Sequence, residues 1–195
     1  MAYYDDINKV ATLTLPWEKL SGSNILITGA TGLIGSCLVE VLMSHPNKDY
    51  HVFASGRNEK RAKARFDVFT SDPHFHFFQY DVMKPLDSDI KFQYIIHAAS
   101  NASPNFFVSK PVEVIKSNIE GICNLMDYGI CHDLKRMLFI SSGEIYGEGN
   151  GNVFYEDYSG YVNPISPRSC YPSSKRTAET LCVAYGAEYG VETVI

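Results

Sequence analysis

The stretch NILITGATGLIG, residues 24–35, decides the fold. Its first five residues are apolar and rich in β-formers, and they run into glycines at 29, 32 and 35. From there to His45 the apolar side chains recur at helical spacing. The reading is strand, glycine turn, helix. Gly29 permits the tight turn, Gly32 lets the backbone approach a pyrophosphate, and Gly35 lets the helix lie close to the sheet. The phosphates would rest on the helix N-terminus, where free N–H groups and the dipole favour an anion. A glycine turn can also be purely structural; the strand before it and the helix after it make this one a dinucleotide signature.

Outward from that unit the alternation continues. HVFAS (51–55) reads as a strand, NEKRAKARF (58–66) as a helix, FHFFQYD (75–81) as a strand, and FQYIIHAAS (92–100) as a fully apolar, buried strand. A long helix follows from Pro111 to His132, opened by proline in its first turn. RMLFISS (136–142) is another strand, YPSSKRTAETLCVAYGAEYG (171–190) a helix ending at Gly190, and VETVI (191–195) a last strand. Strands alternating with helices predict a doubly wound α/β fold, a parallel sheet with helices on both faces. Residues 1–22 read as an N-terminal extension packing on the domain through Trp17, and residues 23–195 as one dinucleotide-binding domain.

A net charge of −5 and 45% hydrophobic residues over 195 positions fit one globular domain with a full core. No basic run or Lys/Arg-rich helix is present, which argues against nucleic acid or an anionic membrane as partner. No apolar run has the length of a membrane span, and MAYYDDINKV lacks the start of a signal peptide, so the expected location is cytoplasmic. Cys37, Cys123, Cys131, Cys170 and Cys182 are odd in number and without C-x-x-C spacing, which reads as reduced core thiols. His74 and His76 share a strand face without a third ligand, a structural pair; no metal site is expected.

Tyr171 and Lys175 stand one helical turn apart. Such pairs are common on helices and alone mean little. FISSGEIYG (139–147), however, ends a buried strand at the carboxyl edge of the sheet, where open α/β sheets hold ligands, so Ser142 faces the same crevice. Around the adenosine ribose an acid usually follows the second strand. Here Ser55, Gly56 and Arg57 occupy that place. Arg57 is either a partner for a 2′-phosphate, which favours NADP over NAD, or a solvated loop arginine.

With these residues in view, TGATGLIG (28–35) resembles the extended branch of the short-chain dehydrogenase/reductases, the NAD-dependent epimerase/dehydratase family with its Rossmann-type fold. HAASNASPNFF (97–107) and RSCYPSSKRTAE (168–179) resemble the corresponding segments of UDP-glucuronate decarboxylases and, more loosely, of dTDP-glucose 4,6-dehydratases. The resemblance runs from about Asn24 to the end. It implies a catalytic trio of Ser142, Tyr171 and Lys175, in which Lys175 and a positive nicotinamide favour the phenolate of Tyr171, the base that takes the proton from a sugar C4 hydroxyl. It implies a dinucleotide held by Gly29, Thr31, Gly32, Leu33, Ile34, Gly35, Arg57, Asp81, Val82, Ala98, Ala99, Ser100, Tyr171 and Lys175, with Asp81 on the adenine amino group. Asp81 also fits an ordinary strand-end turn. Ser103, Asn105, Ser142 and Arg168 are implied on the nucleotide-sugar side, although NASPNFF also fits a polar loop capping the next helix.

Glu144 is the informative detail. Once C4 is a ketone, a carboxylate here can remove the C5 proton. A dehydratase needs in addition an acid for the departing hydroxyl, and Gly143 has no side chain to be one. Decarboxylation does not need that acid, because a 4-keto uronic acid is a β-keto acid. A C4 epimerase or keto-reductase needs neither group, and Glu144 is then a strand-end carboxylate without chemical role. A noncatalytic NAD(P)-binding sensor would need the glycine turn and no tyrosine base. The family's carboxyl-terminal substrate domain is expected to be absent, so the chain reads as truncated to the cofactor-binding domain, and a homodimer stays open. GEGNGNVFYEDYSGYVNPISPR (147–168) is expected to be a mobile loop over the sugar.

Overall fold

Ile25 and Ile27 point to one side of their strand and Leu26 to the other, and all three are buried. A strand apolar on both sides must lie between two layers. In a computed structural model describing residues 2–149, 151 and 153–195, that strand is β1 (Asn24–Thr28), third in a six-stranded parallel sheet. Its neighbours are β2 (His51–Gly56) and β4 (Tyr94–His97); β3 (Phe75–Gln79) flanks β2, and β5 (Arg136–Phe139) and β6 (Thr193–Val194) continue beyond β4. The order 3-2-1-4-5-6 is that of a doubly wound dinucleotide fold, whose chain reverses direction between β1 and β4.

The alternation within the strands sorts the core into two layers. Ile25, Ile27, Val52 and Ala54 pack with Val39, Leu42 and Met43 of α2 (Leu33–Ser44) and with Ala62 of α3 (Glu59–Arg65). Leu26, Phe53 and Ile95 pack with Ile122, Leu125 and Met126 of α5 (Pro111–Cys131) and with Ala178 and Cys182 of α6 (Cys170–Tyr189). Pro111 opens α5, and Gly190 ends α6 in the left-handed conformation at φ 74°, as expected from the sequence.

Three local readings change. β3 stops at Gln79 and β5 at Phe139, so Asp81 and Ser142 lie two and three residues beyond their strands. Each forms a local turn instead: the Asp81 carboxylate accepts from Met83 N–H at 3.1 Å, and the Ser142 hydroxyl from Glu144 N–H at 3.2 Å. Cys170 and Cys182 are buried, but Cys131 is exposed in the last turn of α5, which corrects the reading of all five as core thiols. The loop 147–168 is tied down by backbone hydrogen bonds, Gly160 N–H to Tyr146 at 2.8 Å and Glu148 N–H to Tyr161 at 2.9 Å, and by the Arg176 guanidinium on the Gly160 carbonyl at 2.8 Å. Those contacts argue against the mobility expected of it; Asn150 and Asn152 of that loop lie outside the described residues.

Before β1 a helix was not foreseen. α1 (Ala2–Ala11) buries Ile7 and Ala11, with Tyr3 bonded to the carboxylate of Glu40 on α2. Arg65 reaches the same carboxylate at 2.9 Å, and the Ala11 carbonyl meets His45 Nδ1 at 2.9 Å. Trp17 stacks on His45 with ring centroids 4.3 Å apart, the contact expected of it. His74 lies just before β3, and His51 stacks on His74 and meets His76 at a tilt, with Nδ1 3.0 Å from His76 Nε2.

Candidate active site

The glycine turn is as tight as its spacing demands. Gly29 has φ 66°, and a Cβ there would stand 2.7 Å from the backbone of Ala99; one on Gly35 would stand 2.4 Å from the Gly29 carbonyl oxygen. These glycines draw α2 onto the turn and hold the segment after β4 against it. Between them opens a cavity of about 350 Å³ at the carboxyl edge of β1, β2 and β4. Gly29, Thr31, Gly32, Arg57, Asp81, Val82, Ala98, Ala99 and Ser100 all line it, so most of the expected dinucleotide residues come together. Leu33 and Ile34 do not line it; they start α2 with their side chains in solvent. Gly35 serves packing rather than lining. The glycine cradle, the helix behind it and the cavity they border fit a dinucleotide.

The catalytic candidates sit where α6 meets the end of β5. Lys175 is 2% exposed; its ammonium donates to the Ile140 carbonyl at 2.7 Å and lies 4.4 Å from the ring centre of Phe139 and 5.9 Å from that of Tyr171. Ser142 follows Ile140 by two residues. Tyr171 is buried and stacks on Phe107 of α4 (Pro104–Ser109) with centroids 4.6 Å apart. A hydrogen-bond relay joins this helix to the cavity wall: Ser100 Oγ donates to Asn118 Oδ1 at 2.9 Å, and Asn118 Nδ2 donates to Ser174 Oγ at 2.9 Å. Asn118 was missed in the sequence, though a polar residue between Val114 and Ile122 on a buried helical stripe is the mark of such a role.

Glu144 and Arg168, assigned separately from the sequence, form one unit. The Arg168 fork donates to both carboxylate oxygens at 2.9 and 2.8 Å, and the same guanidinium lies 4.7 Å from the ring centre of Phe107. Both oxygens of Glu144 are therefore occupied, and it becomes a free base only when the pair opens. Ser103 and Asn105 are exposed at the start of α4 and stand outside the cavity. An added Cβ at Gly143 would meet nothing within 4 Å, so the missing side chain there leaves open space.

Burial pushes the Lys175 ammonium down to about 8, and burial, with the Lys175 charge second, lowers His97 to about 3. His97 is thus neutral beneath the cavity wall, with Nδ1 2.7 Å from Thr28 Oγ1. Lys175 binds its proton less tightly folded than unfolded, so its burial costs stability at neutral pH, and the cost is relieved as pH rises from about 8 towards the unfolded value. Chemical denaturation at pH 8 and 9.5 checks this. Relative to Lys175→Met, the unaltered protein should gain about 1.5 kcal/mol across that interval. Equal pH slopes for the two would show that Lys175 is not held in a low-dielectric site.

Residues 25–195 match the NAD dependent epimerase/dehydratase family. The chain belongs to that family. Among its relatives, UDP-glucuronic acid decarboxylase 1 of Danio rerio is 37% identical over 171 residues, which are 86% of this chain and 39% of the fish protein. UDP-glucuronic acid decarboxylase 5 of Arabidopsis thaliana is 37% identical over 173 residues, 88% of this chain and 49% of the plant protein. The chain thus spans less than half the length of these curated relatives. Among solved structures, UDP-glucuronic acid 4-epimerase from Bacillus cereus in complex with NAD superimposes with a TM-score of 0.70 at 25% identity, over 88% of this chain and 55% of the epimerase. Within this epimerase/dehydratase family member, no helix among the described residues is long and apolar enough to cross a membrane.

Proposed function

We propose that this is the cofactor-binding half of a nucleotide-sugar enzyme that oxidises the sugar at C4 and then decarboxylates a UDP-uronic acid. The observation that carries the reading is the junction of α6 with the end of β5, where the buried Lys175 lies 5.9 Å from the ring centre of Tyr171 and donates to the Ile140 carbonyl two residues before Ser142. None of the three lines the cavity, and the relay from Ser174 through Asn118 to Ser100 links α6 to its wall. Gly29 to Gly35, with Asp81 and Ala98 to Ser100, would hold the dinucleotide, NAD or NADP. Bound there, a nicotinamide supplies the hydride acceptor. Tyr171 takes the C4 hydroxyl proton, Ser142 hydrogen-bonds the same oxygen, and the Lys175 charge favours the phenolate. With C4 a ketone, the C5 carboxylate belongs to a β-keto acid: the bond between C5 and the carboxyl carbon breaks, its electron pair enters the ketone as an enolate, and carbon dioxide leaves. C5 would then take a proton by way of Glu144, and return of the hydride to C4 with the Tyr171 proton to its oxygen would complete the UDP-pentose.

The decarboxylase relatives and the open space at Gly143 support this reading over a dehydratase, whose departing hydroxyl needs an acid. A C4 epimerase, a lyase-free isomerase use of the same trio, is the second reading, supported by the solved neighbour. A sensor would have no use for Tyr171 and Lys175 together. The substrate-gripping half would lie in the relatives' unmatched length, so we expect residues 1–195 alone to bind dinucleotide and to turn over no sugar nucleotide; residues 1–22 act as a strap on the domain. Cytoplasmic location and a homodimer belong to the same proposal.

Product analysis with UDP-glucuronate on protein that carries the substrate half tests it. Release of carbon dioxide and a UDP-pentose is expected; interconversion with the C4 isomer and no gas would select the epimerase. In the same assay Glu144→Gln should slow the return of a proton to C5, so that UDP-pentose formation falls about 10²-fold, the range of a positioned acid-base group. Unchanged pentose formation would leave Glu144 without a chemical role.

A further inference from the structure

The segment that runs from β5 to Ser142 is gripped by one face of α6. Ile140 continues the parallel ladder by one residue, its N–H on the His97 carbonyl at 3.1 Å, and its own carbonyl takes the Lys175 ammonium at 2.7 Å. The next residue, Ser141, donates its hydroxyl to the carboxylate of Glu179. Lys175 and Glu179 stand one turn apart on α6, so neighbouring positions on the helix hold successive residues of the segment. Past Ser142, Arg176 Nε reaches the Ile145 carbonyl at 2.6 Å. Ser142 lies between these anchors.

Glu179 also stands where the buried ammonium needs a counter-charge. The ionisable groups around Lys175 are His97 from β4 and Tyr171, Glu179 and Cys182 on its own helix, and Glu179 is the one carboxylate among them. Acids on the elements packed against α6 are engaged elsewhere. Asp127 of α5 accepts from Tyr185 farther along the helix at 2.8 Å, Glu113 and Glu120 pair with Lys110 and Lys116, and Glu144 after β5 is held by Arg168. Glu179 makes no ion pair among the described residues, so its charge is left to act on Lys175. Burial works against that ammonium, and the Glu179 charge works for it.

We propose that Glu179 is a positioning residue of the active site: its charge keeps Lys175 an ammonium, and its hydrogen bond to Ser141 fixes the segment that presents Ser142. The inference rests on the reading of Ser142, Tyr171 and Lys175 as the catalytic trio. Glu179 touches no reacting atom. It acts through two neighbours that flank the chemistry, so one carboxylate sets both the charge beside the Tyr171 phenol and the place of the hydroxyl that shares its target oxygen.

Glutamine separates the two roles, because it keeps an oxygen for Ser141 and loses the charge. With the 195-residue chain isotopically labelled at the lysine ε-carbons, the resonance that Lys175→Met removes reports the Lys175 titration directly, with no cofactor or sugar present. In Glu179→Gln its midpoint should fall by about one pH unit from about 8. In protein carrying the substrate half, the deficit of that variant in single-turnover oxidation of UDP-glucuronate should be about fourfold larger at pH 8 than at pH 6.5, because its amine is less often charged at the higher pH. Ser141→Ala cuts the other link and should slow oxidation about tenfold, equally at both pH values. An unmoved midpoint in Glu179→Gln refutes the electrostatic role, and wild-type oxidation by Ser141→Ala refutes the positioning of Ser142. A midpoint that moves while oxidation keeps the same deficit at both pH values would instead bring down the reading of Lys175 as the partner of Tyr171, and this inference with it.

Discussion

Tyr171→Phe, in protein carrying the substrate half, is expected to lower sugar oxidation by about 10²–10⁴, the contribution typical of a general base. Dinucleotide affinity should stay nearly unchanged. The substitution removes one hydroxyl and keeps the ring that stacks on Phe107, so the wall formed by α4 and α6 retains its packing. Single-turnover oxidation of UDP-glucuronate, set beside dinucleotide titration, separates the two effects. Wild-type oxidation by the variant would reject the mechanism and return Tyr171 to the role of a packed helical neighbour. Loss of dinucleotide binding in parallel would instead assign the hydroxyl to cofactor positioning.

The second large effect is expected at Gly35→Ala. Its new methyl group would stand 2.4 Å from the Gly29 carbonyl oxygen and 2.9 Å from Ala30 Cα, and both neighbours are backbone. No side chain can rotate away, so α2 must lift from the turn. That displacement should cost about 1–3 kcal/mol, as overpacking typically does. It should also abolish dinucleotide binding, because the first turn of α2 would leave the cleft. Thermal melting and calorimetry on the same sample read both quantities. An unshifted melting temperature with intact binding would mean that the helix tolerates a wider approach than the turn implies.

Much of the architecture was legible because each strand announces itself locally. Ile25, Ile27, Val52 and Phe53 are apolar whichever face they meet, and a strand buried on both sides has to be. Pro111 and Gly190 marked helix ends through backbone constraints that act within one or two residues. The α1 helix was not read, although Tyr3, Ile7 and Ala11 recur at helical spacing: ten residues with a charged centre form a stable helix only through what they dock on, and Glu40 and Arg65 are remote in sequence. The same distance hid the pairing of Glu144 with Arg168, which depends on how the loop between β5 and α6 folds back, and the relay through Asn118, which depends on how α5 and α6 approach each other. Spacing placed the glycine turn and the tyrosine helix. It could not tell that Leu33 and Ile34 turn outward, because an opening helical turn offers its backbone, and not its side chains, to the crevice.

The docked α1 helix bears on how this protein can be cut and recombined. Glu40 is 3% exposed and hydrogen-bond donors reach it from two directions, the phenol of Tyr3 from α1 and the guanidinium of Arg65 from α3. A chimera that grafts this domain onto another enzyme's substrate half with its junction at Ser23 would strip away Tyr3, Ile7 and Ala11 and uncover the outer side of α2. The helix behind the glycine turn would then face water along an apolar stripe containing a carboxylate shaped for a lost phenol. Grafts should therefore carry residues 2–22 along, and libraries that shuffle starting points within that span should be screened for aggregation before they are screened for activity.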